Sequence, residues 1–348
     1  MPVLSLGVLD QSPVPAGSRP EQALANTLDL ARACERLGYS RYWLAEHHNT
    51  RGLAGPAPEV MVATVAAATQ SIRVGSGGVM LPHYSALKVA EQFRVLEALH
   101  PGRIDLGIGR APGGDPLSAA ALRIPTPEGD RFPNQVQDLI GFLEDRLDPR
   151  HPFARVRATP EPASGAPPVW LLGSSDYSAA VAAVLGTAFS FAHFINPASG
   201  AQVMVDYRER FRPSPSLPRP LANVGVNVIC ADTSDEALRL AASVRLWRRR
   251  LQRGDPGPFP SVDEALSELG PQARERPHDP DGRLVLGSPR EVRVQLDELA
   301  DRYRVDELIV LTICHDHGAR VRSYELLAEA FELGARTGGA RDTAARQP

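Results

Sequence analysis

The sequence predicts an α/β protein built as a closed (β/α)8 TIM barrel. Three observations point there. Eight short apolar runs alternate with amphipathic segments of helical period, the pattern of parallel strands joined by crossover helices. A chain of 348 residues is a length that such barrels reach as one domain. The first strand runs into "QSPVPAG", not into the Gly-x-Gly-x-x-Gly turn of an open dinucleotide-binding sheet.

In chain order the expected strands are 3–10, 41–46, 72–81, 103–109, 168–173, 188–194, 223–230 and 307–313. Their expected helices are 20–37, closed by Gly38, then 58–70, 85–99, 133–145, 175–185, 198–211, 234–251 and 317–336. An additional helix over 288–303 precedes the last strand. Two insertions interrupt the rhythm. Residues 111–132, after strand four, hold four prolines and three glycines; residues 252–282, after the seventh helix, hold six prolines among charges. Long irregular stretches in a barrel are commonly lids, and 252–282 is expected to act as a mobile one. Residues 1–336 then form a single domain, and 337–348 a disordered tail.

Composition narrows the class of function. Apolar residues make up 43% of the chain, enough for a large core, and the net charge is −3. That balance predicts no polyanion or membrane-surface partner. Cys34, Cys230 and Cys314 are odd in number and form no Cys-x-x-Cys pair, which suits buried thiols in a reducing compartment. The N-terminus lacks a basic region ahead of its short apolar run, and no segment is long enough to span a bilayer. A cytoplasmic protein is expected.

Barrel chemistry sits at the carboxyl ends of the strands. Five of the nine histidines fall at such ends: His47, His48, His193, His315 and His317. His47 and His48 are adjacent, so on an extended chain they face opposite ways and are poor joint ligands for one metal. His315 and His317 could share a face, which keeps a metal-dependent barrel hydrolase open as an alternative. Gly77 and Gly78 lie in mid-strand, where glycine either admits a flat ligand to the backbone or marks a bulge. "GSSDYS" (173–178) opens a helix: it is either an anion site or an ordinary serine or aspartate cap. Arg110, at the end of the neighbouring strand, favours the anion site.

These segments together resemble the bacterial luciferase-like monooxygenases, in their alkanal-monooxygenase-like branch. "WLAEHHN", "VGSGGVMLPHYSALKVAEQFRVLEALHPGRIDLGIGR", "PVWLLGSSDYSA", "LGSP" and "ELIVLTICHDHGARVRSYELLAEAF" carry the likeness in order. The resemblance implies a reaction in which reduced FMN, supplied by a separate flavin reductase, and O2 form a C4a-(hydro)peroxyflavin that oxygenates a small organic substrate. It implies His47 as the acid/base residue, with Glu46 and His48 in support. It places a non-prolyl cis peptide at Gly77–Gly78 beneath the flavin ring, and the FMN phosphate on Arg110, Ser175 and Ser178, with Ser174 alongside. His193 and His315 would line the substrate side. A homodimer is implied. Gly109 and Ser174 stand where luciferase has a cysteine and a glutamate, so light emission is not implied. A deazaflavin F420 hydride-transfer enzyme of the same fold is the nearer alternative.

Overall fold

A computed structural model describes residues 4–122, 131–254, 257–274 and 282–334. Its strands are β1 (Ser5–Asp10), β2 (Arg41–Leu44), β3 (Arg73–Ser76), β4 (Val79–Met80), β5 (Ile104–Gly109), β6 (Val169–Gly173), β7 (Ala188–Ala192), β8 (Ala222–Cys230), β9 (Leu284–Gly287) and β10 (Glu307–Leu311). Every pairing is parallel. The order β1-β2-β3-β5-β6-β7-β8 is closed by β10, which pairs with both β8 and β1. This is the (β/α)8 barrel. β4 continues β3 along β5, so the single strand expected over 72–81 is split at Gly77–Gly78; β9, which extends the C-terminal half of β8, was not expected.

The helices are α1 (Pro20–Leu37), α2 (Pro58–Ala68), α3 (Ala86–Leu99), α4 (Pro116–Leu122), α5 (Phe132–Leu143), α6 (Asp176–Leu185), α7 (Gly200–Arg210), α8 (Ser234–Gln252), α9 (Val262–Leu269), α10 (Pro289–Tyr303) and α11 (His317–Ala330). Local chemistry sets their ends. Proline opens α1, α2, α5 and α10 near the first helical position, where its missing N–H costs nothing. Gly38 ends α1 in the left-handed region. Ser288 and Glu291 form a capping box on α10.

The described parts of both insertions contain helix. In the first, α4 breaks the irregular stretch. In the second, α9 and a 3-10 turn at Gly270–Arg274 pack Ala265 and Ala273 against Ala242 and Leu246 of α8. Phe259 is fully buried and stacked on Trp247, with ring centres 4.5 Å apart. Its backbone bonds those of Val14 and Ala16, which ties this segment to the loop after β1. Residues 255–256, 275–281 and the predicted tail lie outside the described residues.

Strand alternation divides the core in two. Val224, Val226 and Val228 pack outward against the helices, while Leu9, Trp43, Ala45, Ile229 and Leu311 pack inside the barrel. The amino end of the barrel is filled by charge. Asp105, with no exposed side-chain surface, accepts bonds from Arg41 (2.7 Å), Arg73 (2.6 Å) and the Trp43 indole (3.0 Å). Arg41 also donates to Glu307 (2.8 Å), and Asn223 donates to the other oxygen of that carboxylate (2.8 Å). The Arg41 guanidinium stacks on Trp170, 4.9 Å from its ring centre. Two cations face two anions, so the plug is neutral. Pairing of this kind offsets the several kcal/mol, roughly, that each buried ion loses in leaving water.

Candidate active site at the barrel mouth

The seam between β3 and β5 explains the glycines. Val74 pairs with Ile104 and Val79 with Ile108, so the β3–β4 side spends one residue more than β5 over the same length: a bulge. The Gly77–Gly78 peptide within it is cis. A Cβ on Gly77 would stand 2.7 Å from Leu9 Cδ1 and 3.0 Å from Trp43 Cβ, and one on Gly78 would stand 2.8 Å from the Gly107 carbonyl oxygen. A Cβ on Gly107 would overlap the Ser76 carbonyl. No side chain fits along this seam, which leaves bare backbone beside the mouth.

Past the end of β2 the chain keeps its alternation. Glu46 turns outward and is fully buried. It accepts three hydrogen bonds: from the Met80 N–H (2.8 Å), the Tyr84 hydroxyl (2.9 Å) and His48 Nε2 (2.7 Å). Glu46 and His48 therefore form one pair that clamps the segment after the bulge. His47 turns the other way. Its backbone N–H bonds Gly55 O at 3.0 Å, but among the described residues neither ring nitrogen has a partner, and Nδ1 is enclosed. Burial, with His48 adding to it, lowers the His47 imidazole from 6.5 to about 4, so it is neutral at physiological pH. A half-buried imidazole with no partner among the described residues is placed to take a proton from a bound molecule.

The residues expected to form an anion corner come together from the ends of β5 and β6. The Arg110 guanidinium lies 4.1 Å from the centre of the Tyr177 ring, in the first turn of α6. Ser175 is the N-cap, yet its side chain takes no capping bond. Ser178 is buried against the Gly173 backbone, and the Asn196 amide holds the Ser174 carbonyl at 3.1 Å. Arg110, Ser174, Ser175 and Ser178 are thus neighbours around one helix start, the part of a helix that favours a phosphate.

Three other histidines are placed differently. His193 is fully buried; Nδ1 meets the Tyr303 hydroxyl (2.8 Å) and Nε2 meets Gly282 O (2.9 Å). Both nitrogens are occupied, so His193 ties β7 to α10 and has no free atom for a substrate. His315 Nε2 bonds Ala16 O at 3.1 Å, and His317 pairs with Asp29 on α1 at 2.9 Å. They engage different elements. Among the described residues no group of three or more His, Cys, Asp or Glu side chains is placed to hold a metal ion. Asp10, at the end of β1, serves structure: it accepts bonds from Arg320 (2.6 Å), Ser12 N–H (2.7 Å) and the Tyr42 hydroxyl.

The profile of the luciferase-like monooxygenases matches residues 4–305. The chain belongs to that family. A luciferase-like monooxygenase of Escherichia coli K12 is 40% identical over 94% of this chain and 97% of its own. The N-acetyl-S-alkylcysteine monooxygenase of Bacillus subtilis is 36% identical over 94% and 98%. The apo structure of MsnO8 is 43% identical, covers 95% of this chain and 98% of its own, and superposes with a TM-score of 0.87. More distant folds are the oxygenating constituent of a 3,6-diketocamphane monooxygenase from Pseudomonas putida in complex with FMN (18%, 0.66) and an F420-dependent secondary alcohol dehydrogenase (14%, 0.68). By sequence the chain is thus a member of the luciferase-like monooxygenase family, and it shares its fold with those FMN- and F420-binding structures. No described helix is long and apolar enough to cross a membrane. Tyr84 and Tyr177, which complete the two halves of its mouth, carried no sequence signal beyond their place after a strand end.

Proposed function

We propose that this luciferase-like monooxygenase binds FMN in its reduced form, delivered by a separate reductase, and transfers one oxygen atom of O2 to a small organic substrate. The observation that carries the reading is His47: a half-buried imidazole with no partner among the described residues, sharing a mouth with bare glycine backbone and an arginine-flanked helix start. These features suit the three parts of a flavin mononucleotide. Arg110 and the first turn of α6, with Ser175 and Ser178, would hold the phosphate by charge-assisted bonds. The seam at Gly77–Gly78 would seat the ring edge-on to backbone. Bound reduced FMN supplies the electrons that activate O2. His47, neutral before reaction, accepts a proton at a ring nitrogen and returns it. Glu46 keeps His48 turned away and the seam in register, and the apolar inner wall keeps water out.

Titrating the protein with FMN and following flavin fluorescence tests the cofactor; oxygen uptake with reduced FMN tests the chemistry. Reduction of added F420 without oxygen uptake would favour the hydride-transfer reading. A His47→Ala variant is expected to bind FMN and to turn over slowly; unimpaired turnover removes His47 from the proton path. A second copy of the chain is proposed to cover α2 and α3. α2 exposes Val60, Thr64 and Ala67 at helical spacing, and α3 exposes Val95 and Leu99. Sedimentation as a monomer would overturn that.

A further inference from the structure

The glycine seam is fastened at both ends. At the upper end Glu46 holds the Met80 N–H at 2.8 Å. At the lower end the fastening is the Ser76 hydroxyl. Between the two, the strand register is interrupted. β3 keeps register with β5 as far as Gly75 opposite Asp105, and β4 resumes with Val79 opposite Ile108. Three residues, Ser76, Gly77 and Gly78, therefore span the length that Leu106 and Gly107 span on β5.

Such a stretch is poorly fixed by its own composition. Register is specified by side chains that must face a core, and glycine has none to place. Sliding the surplus residue along Gly77 and Gly78 would bury or expose no side chain. From β2 the seam receives one bond, the Gly77 N–H to Leu44 O at 2.7 Å. On the β5 side, Leu106 turns its N–H away to Pro168 O (3.0 Å), so the next residue, Gly107, presents its polar groups to the seam. Ser76 Oγ meets both of them. It donates to Gly107 O at 2.7 Å and accepts the Gly107 N–H at 3.0 Å. The two backbones touch here, since a Cβ on Gly107 would overlap the Ser76 carbonyl. The grip therefore has no slack.

The grip also comes from behind. Ser76 has no exposed surface. Val74, two residues earlier, packs in the outer core, and Ser76 lies on the same side of the strand. Glu46 likewise turns outward onto Met80 and Tyr84. Both fastenings leave the mouth-facing side of the Gly77–Gly78 backbone bare. We propose that Ser76 is a positioning residue of the site. Its hydroxyl fixes where along β5 the surplus residue sits, and with it the height and tilt of the bare backbone on which a flat ring would lie. Ser76 touches neither cofactor nor substrate. The seat for a flavin ring rests on the function proposed above; the pinning of the seam does not.

Two measurements test this. The first is fluorescence titration with riboflavin, which carries the ring system without the phosphate, beside FMN. Ser76→Ala is expected to weaken both about tenfold, the worth of one hydrogen bond in the seat. Arg110→Ala should weaken FMN alone. Ser76→Thr, which keeps the hydroxyl on a residue suited to strands, should restore both affinities. The second is backbone amide hydrogen exchange without ligand, followed by NMR. In Ser76→Ala the amides of Gly77, Gly78 and Gly107 should exchange about tenfold faster or more, while those of β7 and β8 keep wild-type rates. This readout stands even should the threonine variant pack poorly. Unchanged exchange at Gly107 would overturn the proposal. So would flavin affinities indifferent to Ser76→Ala in a wild type that binds FMN, or a threonine variant of wild-type thermal midpoint that binds riboflavin no better than the alanine one. Should the wild type bind neither flavin, faster exchange confined to the seam would uphold the pin and remove the flavin reading instead.

Discussion

Replacing His47 by glutamine removes one titration while keeping a polar side chain of similar reach. In the unfolded chain the imidazole titrates near 6.5; in the folded protein burial lowers it to about 4. Between those values the unfolded chain binds a proton that the folded one does not, so stability is complete above pH 6.5 and declines as the pH falls toward 4. The gap corresponds to about 3 kcal/mol at pH 4, from about 1.4 kcal/mol per tenfold change in proton affinity. Other groups titrate in this range too, but they are common to both proteins and cancel in the difference. Urea unfolding of wild type and His47→Gln from pH 7 to pH 4 should therefore show curves that approach or cross: the variant gains about 3 kcal/mol on the wild type as acid is added. NMR of the His47 ring should place its midpoint near 4. Parallel stability profiles, with a midpoint near 6.5, would refute the enclosure of this ring and the neutral base built on it.

Arg110→Ala should weaken FMN binding about 10- to 100-fold, the loss of a charge-assisted contact, while the thermal midpoint stays put; fluorescence titration against calorimetry checks both. Glu46→Gln replaces an acceptor of three donors and should cost about 2–3 kcal/mol in urea unfolding, with Tyr84→Phe costing about 1 kcal/mol. Asp10→Ala leaves Arg320 charged, buried and unpaired, and should cost about 3–5 kcal/mol; a loss below 1 kcal/mol would mean that the pair is solvated in solution. Gly107→Ala should lower the thermal midpoint by several degrees, since its Cβ would overlap the Ser76 carbonyl.

Eight strands and nine helices were legible because each is a local pattern: apolar runs of strand length, helical periodicity, and Gly38 or Pro58 at the joints. β9 was not, because "LVLG" is four residues long and is recognisable as a strand only by its pairing with β8. That Arg110 and the start of α6 would meet could be read from "GIGR" and "GSSDYS", whose two strands are neighbours in any barrel. The roles of the remaining histidines could not. His193 bonds Tyr303, 110 positions away, and His317 bonds Asp29, 288 positions away. A satisfied histidine and an available one look alike until the partner is known. Asp105 did carry a signal that went unread: an acid within "RIDLGIG" has to find cations inside the barrel. Asn227 is the analogous case on β8, a polar residue that finds no partner among the described residues.

The charged plug has a kinetic meaning. Asp105, Arg41, Glu307 and Asn223 link β5, β2, β10 and β8 across the amino end of the barrel, so among the described residues that end is filled and the site faces the other. Whatever sits deepest must arrive first and leave last. On the proposed function, cofactor, oxygen and substrate would all pass the mouth, and a molecule lodged near the rim would detain everything beneath it. Such a vessel favours a compulsory order of entry and exit, with release, more than bond making, setting the pace of the cycle.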